Sequence, residues 1–405
     1  MMVKVKIIRV NPLLAAKLAD QEFKEEEKRK AKMVSKPLTL KDKLLRMVGF
    51  GPDSEVAQPM ETTILEKTII KLGTLLSLGL GEAGTNIIAH NMQADTGFVD
   101  GMLQGERIEC IIGYARIANF STMTEVLQIK TVTFVNQVAE IVHGCVHQFH
   151  GAPNKNNGDT FLLIWRRIDA DSTMKSRLAD MSLYAFAKIL GAVHTSPILA
   201  KYRTHPGLQQ RLGRKCKVDL TFGLHEGWAI EGALGTEYKI DASYLSPNVS
   251  IAEQIERATA TYGVNILATE AFHGICTWEM SQRLRLIDCV VVRGQPSPMK
   301  LYVLDLCTDE LTVSKHRVWK WTIRQRFRVR QFLEGEKAQR WSSTVPMIAF
   351  FDADPEVRTM RSMYTPELKY RFNMGYQNYI QGEWEAAQQF LSSLRVKLRI
   401  EDGPT

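Results

Sequence analysis

Three groups of residues in this 405-residue chain have types and spacings that could do chemistry. His143, His147 and His150 recur at intervals of four and three, which would set imidazoles along one side of a helix where they could hold a transition metal. They sit beside an apolar stripe and so read instead as helix-surface histidines. Gly79-Leu80-Gly81-Glu82-Ala83-Gly84 is as rich in small residues as a phosphate-cradling loop, yet it lacks a Gly-Lys-Ser/Thr ending and a clear preceding strand. A close helix contact or a helix break is the simpler reading. Lys315 to Arg330 interleaves Trp319, Trp321 and Phe327 with basic residues, a combination that can bind single-stranded nucleic acid. An amphipathic helix packing its aromatics inward fits the same pattern, and nucleic acid is not the expected partner.

Chemistry at any of these places requires elements that hold the side chains still. Ile108 to Phe120 reads as an apolar strand running into a turn, with Arg116 near its end. Ser121 to Glu125 offers hydroxyl caps for a helix continuing through Phe134, Val138, Ile141, Val142, Cys145 and Phe149. Gly151 to Trp165 reads as a hairpin with a polar turn at Lys155 to Asp159 and a buried strand at Phe161 to Trp165. Helical segments follow at Met181 to Leu190 and around Leu208. A strand pair is expected at Lys217 to Phe222 and Gly227 to Leu234, then a helix at Ile251 to Tyr262 and strands near Val264 to Ala268, Arg283 to Val292 and Lys300 to Asp305. Strands alternating with helices in this way argue for a sheet layered with helices.

The flanks differ in kind. Leu13 to Lys32 is a Glu/Lys-dense helical pattern with pairs such as Glu25 and Arg29 one turn apart, and Gly49 to Pro59 reads as a linker. Glu61 to Met92 is helical and apolar enough to need a partner surface. Pro366 to Leu398 has a helix-turn-helix pattern in which Gly375, Tyr379, Gly382, Trp384 and Ala387 fall at the offsets of one tetratricopeptide-type unit. The net charge of +8 permits anionic partners without selecting one. Cys110, Cys145, Cys216, Cys276, Cys289 and Cys307 form no Cys-x-x-Cys pair and read as reduced thiols. No apolar run reaches spanning length, and no secretory leader is evident.

Several strings taken together resemble the class III adenylate/guanylate cyclases, in particular the large protist and algal subgroup. In that subgroup a Leu-Glu-x-x-Ile-x-Lys helix and a Gly-Glu-Ala-Gly turn precede the catalytic domain, as seen here between Leu65 and Gly84. The most specific strings are Phe134-Val135-Asn136, Asn154-Lys155-Asn156-Asn157-Gly158-Asp159, Gly223-Leu224-His225-Glu226-Gly227-Trp228-Ala229-Ile230-Glu231-Gly232 and Ile240-Asp241-Ala242-Ser243-Tyr244-Leu245-Ser246-Pro247-Asn248-Val249. The resemblance covers residues 61 to 309 and continues through Phe372 to Tyr376 and Gly382 to Trp384. It implies an α+β fold with a ferredoxin-like βαββαβ core, an N-terminal helical arm and a C-terminal TPR-like helical hairpin. The implied layout is a charged arm and linker at 1–60, a helical segment at 61–98, a cyclase homology domain at 99–312, a basic aromatic segment at 313–350 and the hairpin at 351–405.

In that family two domains pair head to tail. Two divalent metals on two aspartates assist attack of the ribose 3′-hydroxyl on the α-phosphate, with pyrophosphate leaving. Carried over residue by residue, the second metal aspartate matches Asp159, the base-reading lysine matches Lys155, and Asp241 is the candidate base-reading acid. The first metal aspartate falls on Arg116. The ribose-orienting asparagine becomes Ser250 and the transition-state arginine becomes Gln254, while Asn248 lies a turn corner too early to replace the former. A guanidinium at Arg116 stays protonated and cannot ligate a cation, so it is expected to pair with Asp159. Loss of a transition-state donor costs on the order of a hundredfold or more in rate.

The expectation is therefore a catalytically degenerate cyclase-like protein, a pseudo-cyclase acting as a scaffold or structural subunit, with no intact catalytic set and no cofactor. Its partners would be another cyclase-like domain and neighbouring proteins of a larger complex, in an intracellular setting that is cytoplasmic, ciliary, cytoskeletal or organellar. The alternative is an adenylate cyclase subunit, active or regulatory, using ATP with Mg²⁺ or Mn²⁺ in a heterodimer. A third reading is nucleotide binding without turnover, with Arg116 on phosphate.

Overall fold

A computed structural model describes residues 104–398 apart from 168–171, 214–215, 237–238, 315–322 and 343, together with residue 404 and a few residues between 64 and 84. The arm and linker at 1–60, most of the Gly79 to Gly84 run and the start of the basic aromatic segment lie outside the described residues. The chain divides into two compact units, one of residues 104–232 with 243–405 and one of residues 1–103 with 233–242. In the latter, the described residues between 64 and 84 are helical.

The larger unit starts from β1 (Glu106–Ile117), whose Ile111, Ala115 and Ile117 enter the main core. The helical pattern after it is broken into two helices, α1 (Phe120–Leu127) and α2 (Thr131–Gln148), by a single 3₁₀ turn. This corrects the expectation of one continuous helix capped by hydroxyls. Asn119 precedes α1 in the left-handed region at φ 56° with no side-chain cap, and Gln128 turns the chain at φ 46°. Along α2, Phe134, Val138, Val142 and Val146 form the buried stripe that the four-residue spacing requires. The hairpin follows as β2 (Ala152–Asn157) and β3 (Thr160–Arg166), turning at Gly158 with φ +64°.

Next comes α3 (Ser172–Thr195), buried almost all round from Asp180 to Gly191 because it is covered on opposite sides. Beyond two short helices, β4 (Leu220–Thr236) runs unbroken for 17 residues, correcting the expected strand pair. Its Gly223 and Gly227 are sites of close approach. The remaining elements are β5 (Lys239–Leu245), α4 (Pro247–Tyr262), β6 (Ile266–Thr269), β7 (Leu284–Val290) and β8 (Met299–Leu304).

The sheet order is β2-β3-β1-β4-β6-β8-β7, with β5 pairing β4 off this path. Within it β1, β2, β3 and β4 are joined antiparallel in the order β2-β3-β1-β4, with α1 and α2 between the first two and α3 between the last two. That is the βαββαβ ferredoxin-like arrangement. β6 then pairs parallel with β4, and β8 and β7 extend the sheet antiparallel.

The C-terminal part contributes α5 (Ile323–Ser342), α6 (Met347–Ala353), α7 (Pro355–Arg361), α8 (Pro366–Ile380) and α9 (Trp384–Leu398). Met347, Phe351, Val357 and Met360 of α6 and α7 join the main core. Lys188 of α3 bridges Asp354 at 2.7 Å and Glu356 at 3.0 Å, which locks this segment down. The α8–α9 hairpin buries Phe372, Tyr376 and Leu394 in a second core with Ile251, Ile255, Ile287 and Leu301. Gly375 permits that hairpin to close, since a Cβ there would lie 2.8 Å from the Leu391 side chain.

One buried carboxyl generates a pH prediction. Asp180 accepts from the Thr277 backbone N–H at 3.0 Å and its hydroxyl at 2.7 Å, and burial pushes its pKa from 3.8 up to about 6. A raised carboxyl pKa means that ionisation opposes folding, so this residue's contribution declines as pH rises from about 4 to about 6. Asp180→Asn should gain about 2–3 kcal/mol relative to the parent across that window. Paired urea unfolding curves at the two ends of the window check this, and an unchanged difference would refute it.

Candidate functional site

The site forms where β1, the β2–β3 turn and α4 meet. Register places Arg116 between Thr160 of β3 and Thr221 of β4. The turn is tied to the end of β1 by the Ile117 N–H donating to the Asp159 carbonyl at 2.9 Å, and closed by the Thr160 hydroxyl donating to the Asn157 carbonyl at 2.9 Å. Asp159 is thereby fixed beside Arg116. On the other side, Ser246 caps α4 by accepting from the Asn248 N–H, Pro247 takes the first turn, and Gly263 ends the helix at φ 62°.

α4 lies directly on the sheet because Gly223 has no side chain. A Cβ at Gly223 would fall 2.5 Å from the Glu256 backbone nitrogen and 2.6 Å from the Ala252 carbonyl oxygen. The approach delivers Glu256, whose side chain is 1% exposed, onto Arg116. Arg116 Nε donates to Glu256 Oε2 at 2.7 Å and Nη1 donates to Asp159 Oδ2 at 2.9 Å. The Thr221 hydroxyl donates to the other Glu256 oxygen at 2.7 Å. Burial pulls the Arg116 pKa down, but the hydrogen bond and charge of Glu256, joined by Asp159, outweigh it and hold the guanidinium above its ordinary value.

The pairing of Arg116 with Asp159 is the geometry expected from the resemblance, which sets both residues at metal positions of one site. Glu256 is the member that sequence reasoning passed over. Its signal was a carboxylate on the face of α4 that also carries Ile251, Ala252, Ile255 and Thr259, all buried. A carboxylate there requires a cation.

The other candidates are dispersed. Lys155 stands exposed on β2, opposite Leu162. Ser250 is exposed on α4, and one turn later Gln254 donates to the Arg293 carbonyl at 3.2 Å. Asn248 is engaged elsewhere, donating to the Trp228 carbonyl at 2.8 Å and lying 3.2 Å from His225 Nε2. Asp241 belongs to the smaller unit, where it pairs with Lys239 at 3.1 Å.

His143 and His147 of α2, and His150 just beyond its end, act as docking contacts. His143 Nε2 lies 3.0 Å from Asn156 Oδ1 of β2, and His147 Nε2 lies 3.2 Å from Glu334 of α5. His150 donates to the Lys337 carbonyl at 3.0 Å, with its ring 4.7 Å from Trp341. Burial pushes its pKa down to about 4, which favours the neutral ring in this contact. Among the described residues no three His, Cys, Asp or Glu side chains converge in a way that could hold a metal ion.

These donors do not fit a two-aspartate metal pair. Asp159 is bonded to a permanent cation, and Glu256 is saturated by Arg116 and Thr221.

Comparison with known proteins supplies relatives. The chain is 25% identical to an adenylate cyclase of Anabaena cylindrica over 191 residues, covering 47% of this chain and 35% of that protein. It is 24% identical to the terminal-differentiation specific adenylate cyclase of Dictyostelium discoideum over 213 residues, covering 52% of this chain and 9% of that one. The chain thus spans about a third or less of the length of these relatives. A bacterial light-regulated adenylyl cyclase aligns at TM-score 0.47 and 18% identity, covering 70% of this chain and 71% of that one. The adenylyl cyclase CyaB from P. aeruginosa aligns at 0.40 and 16%, covering 54% and 100%. A family profile described as the RasGEFs all helical domain matches residues 1–93.

Removing the guanidinium should expose what it holds. Arg116→Ala leaves buried Glu256 with Thr221 alone and should destabilise the protein by roughly 3 kcal/mol, while Arg116→Lys, keeping one charge without the fork, should lose less. Denaturant unfolding checks the order, and an Ala variant as stable as the parent would contradict it.

Proposed function

We propose that this chain, whose central block is a class III nucleotide-cyclase domain, keeps that α+β fold as a scaffold or structural subunit and does not turn over nucleotide by itself. The observation that carries the reading is the Arg116 bridge to Asp159 and Glu256. The guanidinium crosslinks β1, the β2–β3 turn and α4, where a class III enzyme would hold cations on carboxylates. It does the mechanical work of a bound ion and supplies none of its Lewis acidity.

Two further departures support the same reading. Gln254 carries no charge toward a developing phosphorane and is bonded to a backbone carbonyl. Ser250 is too short to stand for an asparagine that orients ribose. Both half-sites of a homodimer would share these departures. The match of residues 1–93 to a helical-domain profile is in keeping with a docking role for that part of the chain.

A second reading rests on Lys155 and Asp159, which match a base-reading lysine and a metal aspartate. In a heterodimer with an intact adenylate cyclase domain, this chain would act as a regulatory or complementing half. The partner's activity on adding this chain, compared with an Asp159→Ala version, separates the readings.

Purified chain incubated with Mn²⁺ and ATP or GTP should yield no more cyclic nucleotide than a heat-killed control. Arg116→Asp should not restore activity, since Ser250 and Gln254 remain. Metal-dependent product from the parent chain would overturn the scaffold reading.

A further inference from the structure

The turn of the α8–α9 hairpin carries an aromatic and acidic surface that plays no part in the Arg116 site. Phe372, Tyr376, Tyr379 and Trp384 form a line of rings. Phe372 and Tyr376 stack at 6.3 Å, Tyr376 and Tyr379 at 6.0 Å, and Tyr379 meets Trp384 edge to face at 5.3 Å. The inner end is fixed, since Phe372 and Tyr376 are buried in the second core and the Arg285 guanidinium lies over the Phe372 ring at 4.3 Å. The outer end is open: Tyr379 is 41%, Ile380 56% and Trp384 64% exposed. The backbone between them is held, with the Gly382 N–H donating to the Tyr379 carbonyl at 3.1 Å and the Glu383 N–H to the Asn378 carbonyl at 2.9 Å.

The charge around these rings has one sign. From Phe372 to Leu394 the sequence holds no Lys, Arg or His, although the whole chain carries a net charge of +8, and its only carboxylates, Glu383 and Glu385, flank Trp384. Both are exposed, and among the described residues neither enters an ion pair. Rigid Trp and Tyr rings left open to water have the composition of a contact surface. Two carboxylates with no cation beside them repel phosphate-bearing partners, whereas ring faces and carboxylates together attract a cation. A guanidinium suits both, because its flat face stacks on a ring while its N–H groups reach a carboxylate.

We infer that the α8–α9 turn is a docking surface for an arginine-bearing segment of a partner protein, whose guanidinium stacks on Trp384 or Tyr379 and is drawn there by Glu383 and Glu385. Because Phe372 and Tyr376 back the outer rings, those rings lose little freedom on binding. The surface lies on the C-terminal hairpin, so nothing in this inference depends on the scaffold reading of the cyclase domain.

The test titrates the full chain into a dye-labelled peptide of alternating arginine and serine, followed by fluorescence anisotropy, beside matched peptides with lysine, leucine or glutamate in place of arginine. The arginine peptide should bind saturably, more tightly than the other three, and more weakly as salt is raised. Trp384→Ala should weaken it about two- to fivefold. Glu383→Gln combined with Glu385→Gln should weaken it and flatten its salt dependence, whereas Glu140→Gln, at an exposed carboxylate of α2, should change neither. If Trp384→Ala fails to fold, the double Gln variant, which leaves every ring in place, decides. No saturable binding of the arginine peptide, a lysine, leucine or glutamate peptide that binds as tightly, or an affinity unchanged in the folded variants would overturn the surface.

Discussion

A carboxylate with a side chain 1% exposed cannot stay ionised against the sheet without a cation, and in this protein the cation is a side chain of the central strand. Arg116 reaches Glu256 with one nitrogen and Asp159 with another. The arrangement requires three local conditions. Gly223 lets α4 lie on β4, Gly158 turns the hairpin so that Asp159 faces β1, and Thr221 occupies the remaining Glu256 oxygen. Because one guanidinium faces two carboxylates, the cluster already carries an excess of negative charge. Contact between Arg116 and a nucleotide phosphate is disfavoured for that reason, since the phosphate would compete with both carboxylates.

The C-terminal helices belong to the same construction. α3 would present an apolar face to water if α6 and α7 did not cover it, and Lys188 with Asp354 and Glu356 fixes that cover in place. α5 is attached through His147, His150 and Arg340, the last donating to the Gln148 carbonyl at the end of α2. His143 joins the same helix to β2. The hairpin that carries Asp159 and the C-terminal helix α5 therefore share one support, α2.

Much of the sheet was legible from apolar runs and turn residues, because β1, β3 and the β2–β3 turn obey local rules. Phe161 to Trp165 is an apolar run, buried throughout, and Asn157-Gly158 supplies the left-handed corner. The failures lie where tertiary contact overrides local preference. The interval between the two expected strands is continuous strand, where Gly223 and Gly227 leave room for α4 and for Asn248. Gln128 at φ 46° divides a helix whose apolar periodicity runs through it. At the site, the opposition of Arg116 to Asp159 follows from the cyclase resemblance, which sets both residues at one site, together with their opposite charges. The role of Glu256 does not, since it depends on how closely one helix approaches one strand.

The central claim is that Arg116 occupies the position a divalent cation would need. Electron paramagnetic resonance of Mn²⁺ in the presence of a non-hydrolysable ATP analogue measures this directly by counting bound ions. The account predicts no saturable Mn²⁺ site in the parent chain and no difference on replacing Asp159 with Ala. A stoichiometric Mn²⁺ signal that disappears in Asp159→Ala would contradict it.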